Sequence, residues 1–464
     1  MTVKPARPGL AALALALASF VPAAAAADLL QAWQGALAHD KAHAIDGAEH
    51  VASQARRAQA AALWKPQVGL SAGAGLATHE TDTEGAQFSA PGLGQSAGVG
   101  FATSVTQGAS VHWSIDASMP LYNPERRARQ QQLILSADAA DLAWQAATQS
   151  LMLRTAERYF DVALAEETVQ VLRRQVQAVQ RAAAEARDRF RLGAVPVTDT
   201  HEAHARLASL QAQLLAAESD LLNKQAVLAD STGLPAEGLQ TQLPVGPYGT
   251  SEPAPLERWL EDARSGNPAL RGLRLALEVA RQEAVRHGRA ASASVDLVAQ
   301  VGRDHLAGSG DFGSASSSAT TRRVGIQLVL PLYTGGYRSA RQDEAWKRVD
   351  KATAEIEQGA QQVALQVRNA WRGLRVGQQR QQALEEGLLA TLSRTDATRT
   401  GRDVGQRTTL DLLNAENDAA AARLSLAQAR VALQLDRLRL SALAGRLDEA
   451  TLRAANAELA PLQP

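Results

Sequence analysis

The chain has 464 residues, 48 basic and 48 acidic side chains, no cysteine and only 4% aromatic residues. This balance leaves no dominant basic face for nucleic acid, and the missing cysteine excludes disulfides, thiolate metal sites and cysteine-linked lipid. Alanine supplies much of the apolar content, which favours helices in close contact.

Residues 1–27 read as an export signal. Lys4 and Arg7 precede the apolar run "GLAALALALASFV", and "AAAAA" offers small-residue cleavage ending near Ala27. The run is short of the ~20 residues a spanning helix needs. No later segment is a long uninterrupted apolar run, so any membrane crossing falls to strands.

A first copy of a structural plan covers 28–243. Its opening segment leads to strands expected at about 66–77 and 110–120. In them Val68, Leu70, Ala72, Ala74 and Leu76, then Val111, Trp113, Ile115, Ala117 and Met119, alternate with polar or small residues. The Gly/Ser/Thr-rich stretch between them reads as an exposed loop. "PLYNPE" at Pro120–Glu125 ends the second strand, because proline cannot donate to a sheet ladder. From Asn123 to Phe190 the stretch has no proline past its first turn and would reach ~100 Å as one helix. Val169, Leu172, Val176, Val179, Ala183, Ala186 and Phe190 step three-four along it, as in a coiled-coil seam. A tip turn at about 191–199, "RFRLGAVPVTD", precedes a return helix with Leu207, Leu210, Leu214, Ala217 and Leu221 on one stripe.

The Pro- and Gly-rich segment 244–255 reads as a linker to a second copy, 256–464. Its strands are expected at about 293–302 and 322–331, again joined by a Gly/Ser-rich loop. "PLYTGG" at Pro331–Gly336 then leads into a helix from Tyr337 to Arg402. A tip turn at about 403–411, "GRDVGQRTTLD", places Gly six residues before Asp, as the first copy does. The last long helix has one seam through Leu410, Leu413, Asn417, Ala420, Leu424, Ala427 and Val431. A second runs through Ala419, Ala422, Leu426, Ala429 and Leu433. Two seams let one helix pack against a neighbour on each side, and Arg423, Arg430 and Arg437 are then expected to face water.

No set of residues reads as catalytic. Gly308, Gly310 and Gly313 spell GxGxxG but lie between strands, outside any βαβ context. His201 and His204 miss the HExxH spacing of a zinc site and read as solvated. The expectation is no enzyme, no cofactor and no metal. The strands alone fit either a soluble sandwich or a membrane barrel, and four strands cannot close a barrel without partners. A soluble periplasmic coiled-coil scaffold would keep the helices but not the lipid-facing strands.

The signal, the duplicated strand-strand-helix-helix plan, "PLYTGG" and "VGQRTTLDLLNAE" together resemble the TolC family of outer-membrane channel-tunnel proteins, over essentially the whole mature chain. The resemblance implies a mostly α fold with a transmembrane β-barrel part. Each subunit of a homotrimer lends four strands to a twelve-stranded barrel in outer-membrane lipid, and long helical hairpins continue it as a periplasmic tunnel. It also implies an exit duct for an inner-membrane ABC transporter, or another export pump, that docks through a periplasmic adaptor. At the tip, Asp411 matches an acidic constriction position, and Asn414 stands where a second aspartate is usual. Asp199 and Arg407, with Thr198 beside them, match positions that latch the hairpins, and Arg402 replaces a tyrosine of that set. The missing lipid-attachment cysteine favours the type I protein-secretion branch over lipidated drug-efflux channels, the alternative within the same architecture.

Overall fold

A computed structural model describes residues 28–459 apart from 93, 195, 237–240, 246–253, 290, 291, 311 and 312. The signal segment and most of the linker lie outside the described residues. The order is α1 (Leu29–His39), α2 (Lys41–Ala62), β1 (Gln67–Ala90), β2 (Gly94–Tyr122), α3 (Pro124–Arg191) and α4 (Val197–Thr232). It continues with α5 (Leu256–Gly266), α6 (Pro268–Arg289), β3 (Ser294–Gly310), β4 (Gly313–Val329), α7 (Tyr337–Asp403), α8 (Thr409–Leu443) and α9 (Glu449–Ala457). The described residues divide into two compact units: those within 28–44, 148–261 and 366–459 form one, those within 45–147 and 262–365 the other.

The first unit is helical around an apolar core. Leu29 and Trp33 of α1, Leu151, Tyr159 and Phe160 of α3, Leu438 of α8 and Leu452 of α9 are buried together. Phe160 meets Tyr159 edge-on with ring centroids 5.5 Å apart. The Tyr159 hydroxyl accepts from the Gln242 amide at 2.9 Å, which gives this buried polar group a partner. Asp28 caps α1 through a capping box with Gln31, which satisfies amides the first turn would leave free.

Within this unit α8 uses both seams. Ala419, Leu426, Ala429 and Leu433 are buried, as are Leu413 and Val431 of the other stripe. Two of the three arginines differ from expectation. Arg423 is exposed, but Arg430 reaches Glu385 on α7 at 2.7 Å and Arg437 reaches Glu458 at 2.7 Å. A long side chain beside a seam can cover the neighbouring helix and find a carboxylate there.

The second unit holds one antiparallel sheet of strand order β1-β2-β3-β4. Beside it, Arg57 of α2 reaches Asp138 and Asp141 of α3, both at 2.7 Å, and His50 stacks on Trp144. Ala284 of α6 packs on Ala345 and Val349 of α7.

The strands run well past their expected ends. β1 and β2 pair from Gln67↔Ser118 to Ala90↔Gly94, and β3 and β4 from Ser294↔Val329 to Gly310↔Gly313. The segments expected to be loops are therefore mostly ladder. Polar, Gly-rich composition misled because these strands bury little, and a wet strand need not alternate apolar residues. Gly313 of the GxGxxG stretch closes the β3–β4 hairpin with φ 111°. Pro120 also departs from expectation: β2 continues to Tyr122, with a register shift between Pro120 and Tyr122. A bulge is one of the places where a sheet accepts proline.

Candidate functional site

The sheet keeps its apolar side chains exposed. In the register Val68↔Ala117, Ala117↔Ala299 and Ala299↔Val324, all four residues share one face. The same face carries Leu70 (73% exposed), Leu76 (91%), Ile115, Leu297, Val324 (78%) and Ile326. The opposite face has Ser71, Ser114, Asp116, Gln300 and Arg323, linked by Ser71–Ser114 at 2.8 Å and Arg323–Gln300 at 2.8 Å. Water would penalise an apolar face of this extent, whereas hydrocarbon accepts it and leaves the polar face to a wet interior.

The apolar band is slanted against the hydrogen-bonding rows. Its edge nearest the helices runs Val68, Met119, Val295 and slips by one outward-facing position per strand, a course that Leu330, just past the end of β4, continues. A level band over rows that slant means tilted strands, the condition for curling a sheet into a barrel.

The hairpin turns belong to the other unit. At the end of α3, Gly193 takes φ 72° and the Ala194 amide reaches the Arg189 carbonyl at 2.8 Å. Gly405 does the same after α7 with φ 76°, and the Gln406 amide reaches the Gly401 carbonyl at 2.7 Å. A left-handed glycine lets each long helix stop and reverse. The return helices start differently. Pro196 caps α4 without a side-chain bond, whereas Thr408 caps α8 through a capping box with Asp411.

Asp411 is thus a structural group as well as a surface charge. Its Oδ2 accepts from the Thr408 amide at 2.9 Å, and its own amide donates to Thr408 Oγ1 at 3.0 Å. That backbone hydrogen bond, then the Thr408 hydroxyl and the Arg407 charge, hold its carboxyl below the usual aspartate range. The Arg407 amide donates to the Gly401 carbonyl at 3.1 Å. Arg402 bonds its neighbour Asp403 at 2.9 Å, and Thr198 donates to Asp199 at 3.4 Å. Among the described residues of one chain, no hydrogen bond or ion pair joins Asp199 to Arg407.

Asn414 points elsewhere. Its Oδ1 accepts from Arg206 Nη1 at 2.7 Å, and three residues on Asn417 bonds Gln175 at 2.9 Å. Leu413 joins Val179, Ala182 and Leu210 in the apolar cluster between these contacts. The turn that carries Asp411 is therefore held to the first hairpin by α8 against α3 and α4. Arg206 and Gln175 were missed from sequence. Asn417, a polar residue inside an apolar seam, was the available signal, because such a residue needs a partner across the helix interface.

A long-helix hairpin scaffold joined to an antiparallel sheet with an exposed apolar face defines the class of outer-membrane channel subunits. The chain belongs to the outer membrane efflux protein family, which matches residues 33–234 and 259–446. It is 27% identical over 328 residues to the outer membrane protein TolC of Escherichia coli, a match covering 69% of this chain and 66% of that protein, just under two thirds of its length. It is 28% identical over 344 residues to the alkaline protease secretion protein AprF of Pseudomonas aeruginosa, covering 73% of this chain and 70% of that one. The solved outer membrane channel CmeC of Campylobacter jejuni shares the fold, with a TM-score of 0.71 at 15% identity over 93% of this chain and 90% of that one. Family membership places the chain in the outer membrane as a transport protein rather than an enzyme.

Proposed function

We propose that three copies of this chain close a twelve-stranded barrel and form the outer-membrane exit duct of a tripartite export system. The observation that carries this reading is the slanted, exposed apolar face on a sheet whose two edge strands, among the described residues, each leave one edge unpaired. An open edge is not tolerated in hydrocarbon, so closure requires further copies. The helical hairpins then form the periplasmic tunnel, an adaptor and an inner-membrane ABC transporter supply the cargo, and Asp411 lies at the constriction.

The cargo of this reading is protein, passed by type I secretion. Similarity to AprF, a protease secretion protein, and the missing lipid-attachment cysteine support it. Within that branch the alanine-rich sequence resembles the outer-membrane component of the adenylate-cyclase haemolysin (cyclolysin) exporter. Small-molecule efflux is the second reading, favoured by the efflux description of the family. Expression in an outer-membrane-channel deletion strain tests both. A heat-modifiable trimer in the outer-membrane fraction is expected, with restored export of a type I substrate. Restored drug resistance without protein export would favour efflux, and a soluble monomer would sink the duct reading.

A further inference from the structure

We propose that the two free edges of the sheet carry complementary charge, and that Arg322 on β4 pairs with Glu80 on β1 of a second copy. The pair sets the register in which copies join. This inference rests on the barrel reading above.

Edge register is otherwise weakly specified. β1 carries Gly69, Gly73 and Gly75, and β4 opens "GSASSSATT". The apolar face opposes a slip by one residue, which would turn every apolar side chain to the wet face. Small side chains do little to oppose a slip by two, which keeps the faces. Some further feature must hold the joint.

The charges just past the apolar band supply it. On β1 the even-numbered positions that point Val68, Leu70 and Leu76 outward continue as Glu80 and Asp82, and Glu84 follows where the ladder shifts register, all three exposed. On β4 the outward position after Val324 is Arg322, and Arg303 on β3 is its diagonal neighbour, both exposed. β4 contains no acidic residue. Among the described residues none of these five groups makes an ion pair within the chain. One edge strand is thus acidic and the other basic, on the same face and at the same border of the band.

The slant of the band predicts which residues meet. Its helix-side edge drops one outward position per strand from Val68 through Met119 to Val295 and on to Leu330 just past β4. Its far edge drops four such positions over three strand steps, from Leu76 to Val324. Continuing either edge onto a further β1 sets Leu76 of that copy level with Val324 or one position lower. Glu80 then stands diagonally next to Arg322 or directly opposite it. Both placements lie within reach of long side chains across a ladder. A carboxylate in this position spares Arg322 from standing unpaired at the border of hydrocarbon.

The chain has no cysteine, so introduced thiols report cleanly. A chain with Glu80→Cys and Arg322→Cys, treated in isolated outer membranes with a short thiol cross-linker, is expected to give a trimer that survives boiling. A Leu70→Cys, Arg322→Cys control is expected to give none. In cysteine-free protein, Arg322→Glu should lower the dissociation temperature of the trimer, and adding Glu80→Arg should restore it. Cross-linking by the control alone, or no cross-link while the wild type is trimeric, overturns the pairing and leaves the barrel reading intact. Destabilisation that Glu80→Arg does not restore, with loss of co-purified phosphate-bearing lipid, assigns Arg322 to lipid headgroups and also overturns it. A wild type that forms no trimer overturns the barrel reading, and the pairing with it.

Discussion

Arg206 on α4 donates to Asn414 on α8 at 2.7 Å, a polar tie between the two hairpins of one chain. A hydrogen bond from a charged donor contributes about 1.5–3 kcal/mol after solvent competition, and partial burial puts this one toward the lower end. Arg206→Ala should lower the stability of the helical unit by roughly that amount in chemical denaturation. Asn414→Asp should gain little as a channel charge, because Arg206 would neutralise it. Block by multivalent cations is expected to rise only when Asn414→Asp is combined with Arg206→Gln. Equal block with and without the second change would show that Arg206 does not shield the position.

The helices were the most legible part of the chain, because three-four stepping over many turns accumulates. Val169, Val179 and Ala183 of the α3 seam are buried as the stripe requires. Phe190, at the same stripe's end, is 43% exposed, because it adjoins the turn where a single chain has no further helix to cover it. The strands were legible only where they are apolar. Beyond Leu76 the ladder continues through Thr81, Asp82 and Thr83, whose polar side chains carry no period-two signal. At the tip, the Thr408–Asp411 spacing is a readable cap, whereas Arg206 meets Asn414 across 208 positions of sequence. Contacts of that kind depend on helix phase and crossing, which periodicity does not supply.

Gly35 offers a test of close helix contact in the first unit. A Cβ there would collide with the Thr232 carbonyl at the end of α4, so α1 approaches closely only because the position is bare. Gly35→Ala should part α1 from α4 and cost about 1–3 kcal/mol by overpacking, despite alanine's better helix propensity. Thermal denaturation of detergent-solubilised protein measures it. A stability equal to or above wild type would mean that the contact relaxes freely.

The proposed latch makes a separate prediction. Asp199 and Arg407 are not joined within one chain, and Arg402 is occupied by Asp403, so a latch through Arg407 would act between copies. An exposed pair is worth only ~0–1 kcal/mol, but three copies around one aperture would bias it together. Arg407→Ala should raise single-channel conductance in planar bilayers. Gly401→Ala should do so too, because a Cβ there would lie 2.9 Å from Arg407 Cγ and displace the side chain. Unchanged conductance in both variants would place the closing contacts elsewhere.

Asp411 combines a charge with a cap, and pH separates the two. The Thr408 amide, the Thr408 hydroxyl and Arg407 lower its folded-state pKa, with slight burial opposing them. For a carboxyl lowered on folding, the stabilisation is complete above the unfolded value, about 3.9, and is lost as pH falls through the folded value. The start of α8 and any cation preference owed to Asp411 should therefore persist at mildly acidic pH, fading only below the ordinary carboxylate range. Repulsion among three copies would act against this, so the pH at which selectivity fades reports which influence wins. Asp411→Asn keeps an oxygen for the Thr408 amide but removes the charge. It should abolish most of the cation preference, read as reversal potential in planar bilayers, with little loss of thermal stability. Asp411→Ala should lose both. If cation preference survives in Asp411→Asn, the selective charge lies elsewhere along the pore and Asp411 serves only to begin α8.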